Sequence, residues 1–184
     1  MTFWPEDESA TFLRTTDEYG FLSNFHRTTV PYGGRQWRSG EHLYQAAKFT
    51  NEDVIERIHQ AATPKDAKLV AYQNSEHFAS DWDSVKVAVM AEVIAAKIAN
   101  WYGTALDLFE RSGNRRFVEI SHRDDFWGAK PDLARRGYVG SNVLGQLWSG
   151  YKRAWREGNS SLTGPTPTGR LPTTSNIDQF LVVT

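Results

Sequence analysis

Asp81-Trp82-Asp83-Ser84-Val85-Lys86-Val87-Ala88-Val89-Met90-Ala91-Glu92-Val93-Ile94-Ala95-Ala96-Lys97-Ile98-Ala99-Asn100 is the stretch on which the fold turns. Val85, Val89, Val93 and Ile94 recur at helical spacing, and Met90 and Ile98 widen the apolar stripe. That period predicts one long helix from about Ser84 to Asn100 with a broad face to bury. Upstream, Thr63-Pro64-Lys65-Asp66 supplies an N-cap, a proline at the first helical position and an acid at the third, opening a helix to about Asn74. Two further helices are predicted over Glu52–Ala62 and Glu41–Phe49.

Downstream, a short helix over Thr104–Arg111 stops at Gly113, and Leu144–Glu157 forms a last amphipathic helix. Phe117–Ser121 reads as a strand. Short strands are also expected at Thr11–Arg14 and Arg27–Val30, with Tyr32-Gly33-Gly34-Arg35 turning between extended segments. The expected fold is mainly α with a small β component (α+β), a single compact domain over residues 1–157. Residues 158–184 read as a flexible tail rich in Gly, Ser, Thr and Pro. Its apolar end, Phe180-Leu181-Val182-Val183, is suited to dock back on the body.

Composition narrows the function. Among 184 residues, 21 Lys and Arg balance 22 Asp and Glu, giving a net charge of −1. Such a balance argues against a protein that coats nucleic acid, though it permits a local basic patch. The absence of cysteine excludes a disulfide framework, a thiolate nucleophile and a thiolate-bound metal. No long apolar run is present, so a cytoplasmic protein without a membrane partner is expected. Aromatic residues reach 13 % and could build a core or receive a flat ring.

Four segments could carry chemistry. On the helix after Gly40, Glu41, Gln45 and Lys48 share one stripe opposite Leu43, Ala46 and Ala47, so an acid, an amide and an ammonium could grip a polar substrate. The same stripe also suits an ordinary solvated face. Trp82 at the start of the long helix could stack on a base, and Lys86 one turn on could be a desolvated nucleophile or a lysine lying along the surface. Asp81 or Asp83 can cap that helix.

The third segment is the strand that delivers Glu119 and breaks into Asp124-Asp125-Phe126-Trp127-Gly128. Its adjacent acids suit acid–base work, or Asp124 or Asp125 simply forms an Asx turn. The fourth, Gly140-Ser141-Asn142-Val143-Leu144-Gly145, could bring backbone amides to a phosphate, with Asn142 as a plain N-cap the cheaper reading. Arg135 and Arg136 just before it suit phosphate or serve as surface charge. The five histidines have no metal-ligand spacing, so no metal and no cofactor are expected.

These blocks, taken in order with Tyr19-Gly20-Phe21-Leu22-Ser23-Asn24-Phe25, resemble the NADAR (YbiA-like) family over roughly residues 12–156. The resemblance implies a compact YbiA-like fold and N-glycosidase chemistry, the hydrolysis of a ribosyl C1′–N bond. Two substrate classes follow from it: ADP-ribose on guanine in DNA or RNA, and phosphoribosylamino-pyrimidine intermediates of riboflavin synthesis. A non-catalytic ADP-ribose or nucleotide sensor is the alternative of another class.

The family also implies a lysine able to form an imine with ring-opened sugar, here Lys48 or Lys86, and acids matching Glu41 and Asp125. Asn24, Phe25, Tyr44, Gln45 and Trp82 are expected to bind substrate, as are Trp127, Gly128, Asn142 and Gly145. Gly40 stands where the family usually has serine, and Ala47 where it has glutamine. Ala129-Lys130 replaces a glycine-containing ending. These departures bear on substrate choice.

Overall fold

A computed structural model describes residues 1–158. The tail expected over 158–184 and its apolar end therefore lie almost wholly outside the described residues. The chain divides into two compact units. One comprises residues 24–100; the other is built from residues 1–23 and 101–158.

The first unit is helical with one hairpin. Strands β3 (Val30–Tyr32) and β4 (Arg35–Trp37) pair antiparallel around Gly33 and Gly34, whose φ angles of 58° and 74° suit a two-residue turn. Helix α1 (Gly40–Ala46) begins at Ser39, whose hydroxyl accepts from His42 N and lies 2.7 Å from His42 Nδ1. Helices α2 (Glu52–Gln60), α3 (Pro64–Tyr72) and α4 (Trp82–Asn100) surround α1. Thr63 caps α3 as its sequence predicts, accepting from Asp66 N at 3.1 Å. Along α4, Val89, Val93, Ile94 and Ile98 are all buried, and the helix starts two residues before the expected Ser84.

The second unit carries the remaining sheets. Strands β1 (Thr2–Pro5), β7 (Gly137–Gly140) and β6 (Lys130–Asp132) form an antiparallel sheet in the order β1-β7-β6. Strand β2 (Ser9–Phe12) pairs in parallel with β5 (Arg116–Glu119). Helix α5 (Tyr102–Arg111) precedes β5, and α6 (Val143–Arg156) packs on it. The core is aromatic: the Phe109 ring lies 6.1 Å from Phe117 and 6.3 Å from Trp148, whose indole donates to Leu22 O at 3.0 Å.

Six helices and three small sheets among the described residues make the fold α+β, mainly helical, as the periodicity predicts. Strand placement was less legible. The strand expected at Thr11–Arg14 lies two residues earlier, and Arg27–Val30 is a connection that only meets β3 at its end. Strands β1, β6 and β7 had no sequence expectation. At three or four residues, they offer too few positions for alternation to stand out.

Candidate functional site

Helix α1 is buried on every side, including its polar residues. Glu41 is 5 % exposed, Gln45 2 % and Lys48 4 %, so the solvated-face reading of this stripe is wrong. Buried charges are expensive unless paired or put to use. Gln45 Nε2 donates to Glu41 Oε1 at 2.7 Å. Burial pushes the Glu41 pKa up, opposed by the Lys68 charge, the Gln45 hydrogen bond and the Lys48 charge. A carboxyl in this setting holds its proton to higher pH than an exposed one, the property a general acid needs.

Lys48 follows α1 by two residues and sits in a box of rings. Its Nζ lies 4.7 Å from the Phe78 ring centroid, 5.0 Å from Tyr72 and 5.5 Å from both Tyr44 and Trp82. Burial lowers its pKa to about 8; Glu41 opposes the shift, while Lys68 and Lys86 add to it. About a tenth of a lysine with that pKa is neutral at pH 7, against fewer than one in a thousand for a solvated one.

Lys86 has a different setting. Its ammonium pairs with Asp83 at 2.9 Å, one turn back on α4 and largely in solvent. Lys86 is thus partly exposed and ion-paired rather than desolvated, and Lys48 is the buried lysine of the two. Trp82 is buried and meets Tyr44 edge-on at 5.2 Å, forming a wall of the Lys48 box.

Asn24 and Phe25 join the same cluster. Asn24 O accepts from Glu41 N at 2.9 Å, and its buried Oδ1 has no hydrogen-bond partner among the described residues. Gln45 Oε1 is likewise buried and unpartnered. Two such buried acceptors are costly, and a ligand donor would satisfy them. Phe25 lies under Lys68 Nζ at 5.9 Å from its ring centroid.

In the other unit, the 124–128 loop and the start of α6 are tied to each other. Asp124 forms the expected Asx turn, accepting from Phe126 N at 3.0 Å and Trp127 N at 2.9 Å. Ser141 N donates to Asp125 O, Asn142 N to Gly128 O, Val143 N to Phe126 O and Leu144 N to Trp127 O, at 2.6–3.0 Å. The phosphate-cradle reading of 140–145 therefore fails, because those amides are already spent on the loop's carbonyls.

Asn142 is no plain N-cap either. It adopts φ 49° and ψ 43°, makes no side-chain cap bond, and braces β5 instead. Its Oδ1 accepts from Glu119 N and its Nδ2 donates to Phe117 O, both at 3.0 Å. A Cβ at Gly145 would lie 2.2 Å from Phe117 O, and one at Gly128 2.7 Å from Glu119 O, so both glycines permit close backbone approach.

Asp125 is also corrected as a raised-pKa acid. Lys130 Nζ donates to its carboxylate at 2.7 Å and holds the pKa below the usual range. Trp127 is half-buried, edge-on to Phe126 at 5.0 Å. Arg135 pairs with Asp132 at 2.7 Å and serves as surface charge.

The NADAR domain model matches residues 6–153. The chain belongs to the NADAR family. N-glycosidase Npun_R5314 of Nostoc punctiforme is 29 % identical over 136 residues, covering 72 % of this chain and 86 % of that protein. N-glycosidase YbiA of Escherichia coli is 30 % identical over 123 residues, covering 67 % and 76 %. The NMR structure of E. coli YbiA superposes with a TM-score of 0.70 at 27 % identity, covering 83 % of this chain and 88 % of that one. The riboflavin biosynthesis protein VVA0006 of Vibrio vulnificus is 30 % identical over 136 residues, 74 % of this chain but 35 % of that protein.

This NADAR domain thus gathers Asn24, Phe25, Glu41, Tyr44, Gln45, Lys48 and Trp82 in one unit, and Asp125, Trp127, Gly128, Asn142 and Gly145 in the other. Sequence reasoning missed Lys68, Tyr72 and Phe78. Lys68 and Tyr72 lie on α3, which is legible only through its cap, and Phe78 follows a short 3-10 turn at Ser75–His77. Nothing in their spacing relates them to α1; Ala79 N donating to Lys48 O at 2.8 Å makes that connection.

Proposed function

We propose that this NADAR protein removes ADP-ribose from guanine bases in nucleic acid, with Glu41 as general acid and Lys48 as the imine-forming amine. The chain is an N-glycosidase, a hydrolase of N-glycosyl bonds, as its curated relatives are named. The observation that carries the residue assignment is the burial of Glu41 on α1 and of Lys48 two residues past its end, the acid's pKa raised and the amine's lowered.

The chemistry follows from those two shifts. Breaking a ribosyl C1′–N bond leaves the departing nitrogen in need of a proton, which Glu41 donates. On ring opening, neutral Lys48 adds to C1′ and the base leaves as its amine, giving a lysine imine. Water then adds to the imine, releasing the sugar as its aldehyde and regenerating the amine. The sum is one water consumed per bond cleaved.

Riboflavin-intermediate hydrolysis is the second reading, favoured by the relative named as a Vibrio riboflavin biosynthesis protein. Its bond is also ribosyl to nitrogen, so the same residues would serve.

Incubation with ADP-ribosylated guanine DNA and, separately, with the phosphoribosylamino-pyrimidine decides between them. Release of ADP-ribose from DNA at the higher kcat/KM supports the first reading. Faster cleavage of the pyrimidine substrate assigns the second. ADP-ribose binding without release from either would sink the enzyme and leave a sensor.

A further inference from the structure

Among the described residues, positive charge also gathers away from the Glu41–Lys48 cluster. A cavity of about 290 Å³ in the unit formed by residues 1–23 and 101–158 is lined by Arg115, Arg116, Lys152, Arg153 and Arg156, with no carboxylate on its wall among the described residues. None of these residues belongs to the candidate catalytic cluster. Some arginines elsewhere meet acids: Arg35 pairs with Glu52 and Glu56, and Arg111 with Glu18 and Asp107.

Lys152, Arg115 and Arg156 are instead held by neutral groups. Lys152 is 5 % exposed and donates to Ser112 Oγ at 2.9 Å, Gly113 O at 3.2 Å and Arg115 O. Arg115 donates to Tyr19 Oη at 2.8 Å, and Arg156 to Gly113 O at 2.6 Å and Asn114 Oδ1 at 3.2 Å. The Arg116 guanidinium lies 5.9 Å from the Trp4 ring centroid. These contacts hold the side chains in place without neutralising them.

The crowding bears on Lys152. Burial first, and then the charges of Arg156 and Arg115, lower its pKa to about 8. Like charges held together at such a cost, in a concave site, focus a positive potential that an anion relieves. Guanidinium forks beside an ammonium match the oxygens of phosphate.

We infer that this pocket binds the phosphate groups of a nucleotide or polynucleotide, Arg116 and Arg156 contacting the anion while Lys152 lies at its buried end. The inference is independent of the N-glycosidase assignment, since it uses no residue of the Glu41–Lys48 cluster.

The test compares the full-length protein with an Arg116→Gln/Arg156→Gln variant. One probe is a fluorescein-labelled single-stranded oligonucleotide without modified bases, followed by anisotropy across a salt series. The other is inorganic pyrophosphate, followed by calorimetry. The variant is expected to bind at least about tenfold more weakly. For the oligonucleotide, the slope of log affinity against log salt should fall by roughly 1.4, two lost single-strand phosphate contacts. An Arg116→Lys/Arg156→Lys variant retains the charges and should keep most of the affinity, which separates lost charge from lost packing.

Weakened oligonucleotide binding assigns a strand backbone, and weakened pyrophosphate binding alone assigns a free nucleotide. Wild-type protein that binds neither probe, or variants that bind both as wild type does, would overturn the inference.

Discussion

Gln45 holds Glu41 by a 2.7 Å hydrogen bond between two side chains that are both almost fully buried. The amide nitrogen faces the acid, leaving Gln45 Oε1 without a partner among the described residues. Exchanging Glu41 for Gln keeps the volume and removes the proton donor. Glu41→Gln should lower kcat by about 10²–10⁴-fold, the usual contribution of a general acid. Stability should hold or rise. A carboxyl whose folded pKa is raised adds stability only below its unfolded pKa, and loses it as pH climbs through the folded value. At neutral pH the change therefore removes a burial cost. Urea denaturation showing a large loss of stability would attribute the lost activity to unfolding.

Imine formation separates the two lysines. Borohydride added during turnover should trap a sugar–protein adduct in wild type and in Lys86→Ala, whose residue is ion-paired to Asp83. Lys48→Ala should trap none, as judged by intact-protein mass. A trapped adduct in Lys48→Ala removes Lys48 from the role.

The pH profile tests both groups together. Turnover needs Glu41 protonated and Lys48 neutral, a combination whose population is greatest between the two pKa values. A plot of log kcat/KM should therefore be flat between them and fall with unit slope above about pH 8, where Lys48 titrates. A profile that keeps rising through pH 9 contradicts the assignment.

Lys97, on α4, is fully buried, and burial lowers its pKa to about 7. As pH falls from the unfolded value near 10.4 to 7, the unfolded chain takes up a proton that the folded chain resists, so the cost grows over that window and is constant below it. Lys97→Met should stabilise the protein by about 2–4 kcal/mol at pH 7, with the gain shrinking as pH approaches 10. Equal urea midpoints for the two proteins at both pH values would refute this.

Asn142 should be a structural residue. Losing its two bonds to β5 leaves Glu119 N–H and Phe117 C=O without these partners, so Asn142→Ala should cost about 2–3 kcal/mol in urea unfolding. Asn142→Gly relieves the positive φ yet loses the same bonds, and should also destabilise. A Gly variant as stable as wild type would show that backbone conformation, rather than bracing, explains the asparagine.

Helical periodicity was enough to place α4, and Thr63-Pro64-Lys65-Asp66 to start α3, because caps and apolar stripes act between residues close in sequence. Composition excluded thiolate chemistry outright. The motif blocks located both polar segments, yet their spacing left Glu41, Gln45 and Lys48 open to a solvated reading. Burial depends on what packs around a helix. Only with α2, α3 and α4 around α1 does that stripe become a desolvated acid beside a ring-lined amine.

The same limit governs the other unit. Asp125 looked like an acid with a raised pKa until Lys130 was found against it, and Gly140–Gly145 looked open to phosphate until its amides met the loop's carbonyls. The permitted basic patch emerged only when β5, the connection before it and α6 brought Arg115, Arg116, Lys152 and Arg156 to one cavity. Local pattern determined which segments are helices and which residue types were available. Long-range packing decided which charges lie in water and which do not, and solvation is what sets their chemistry.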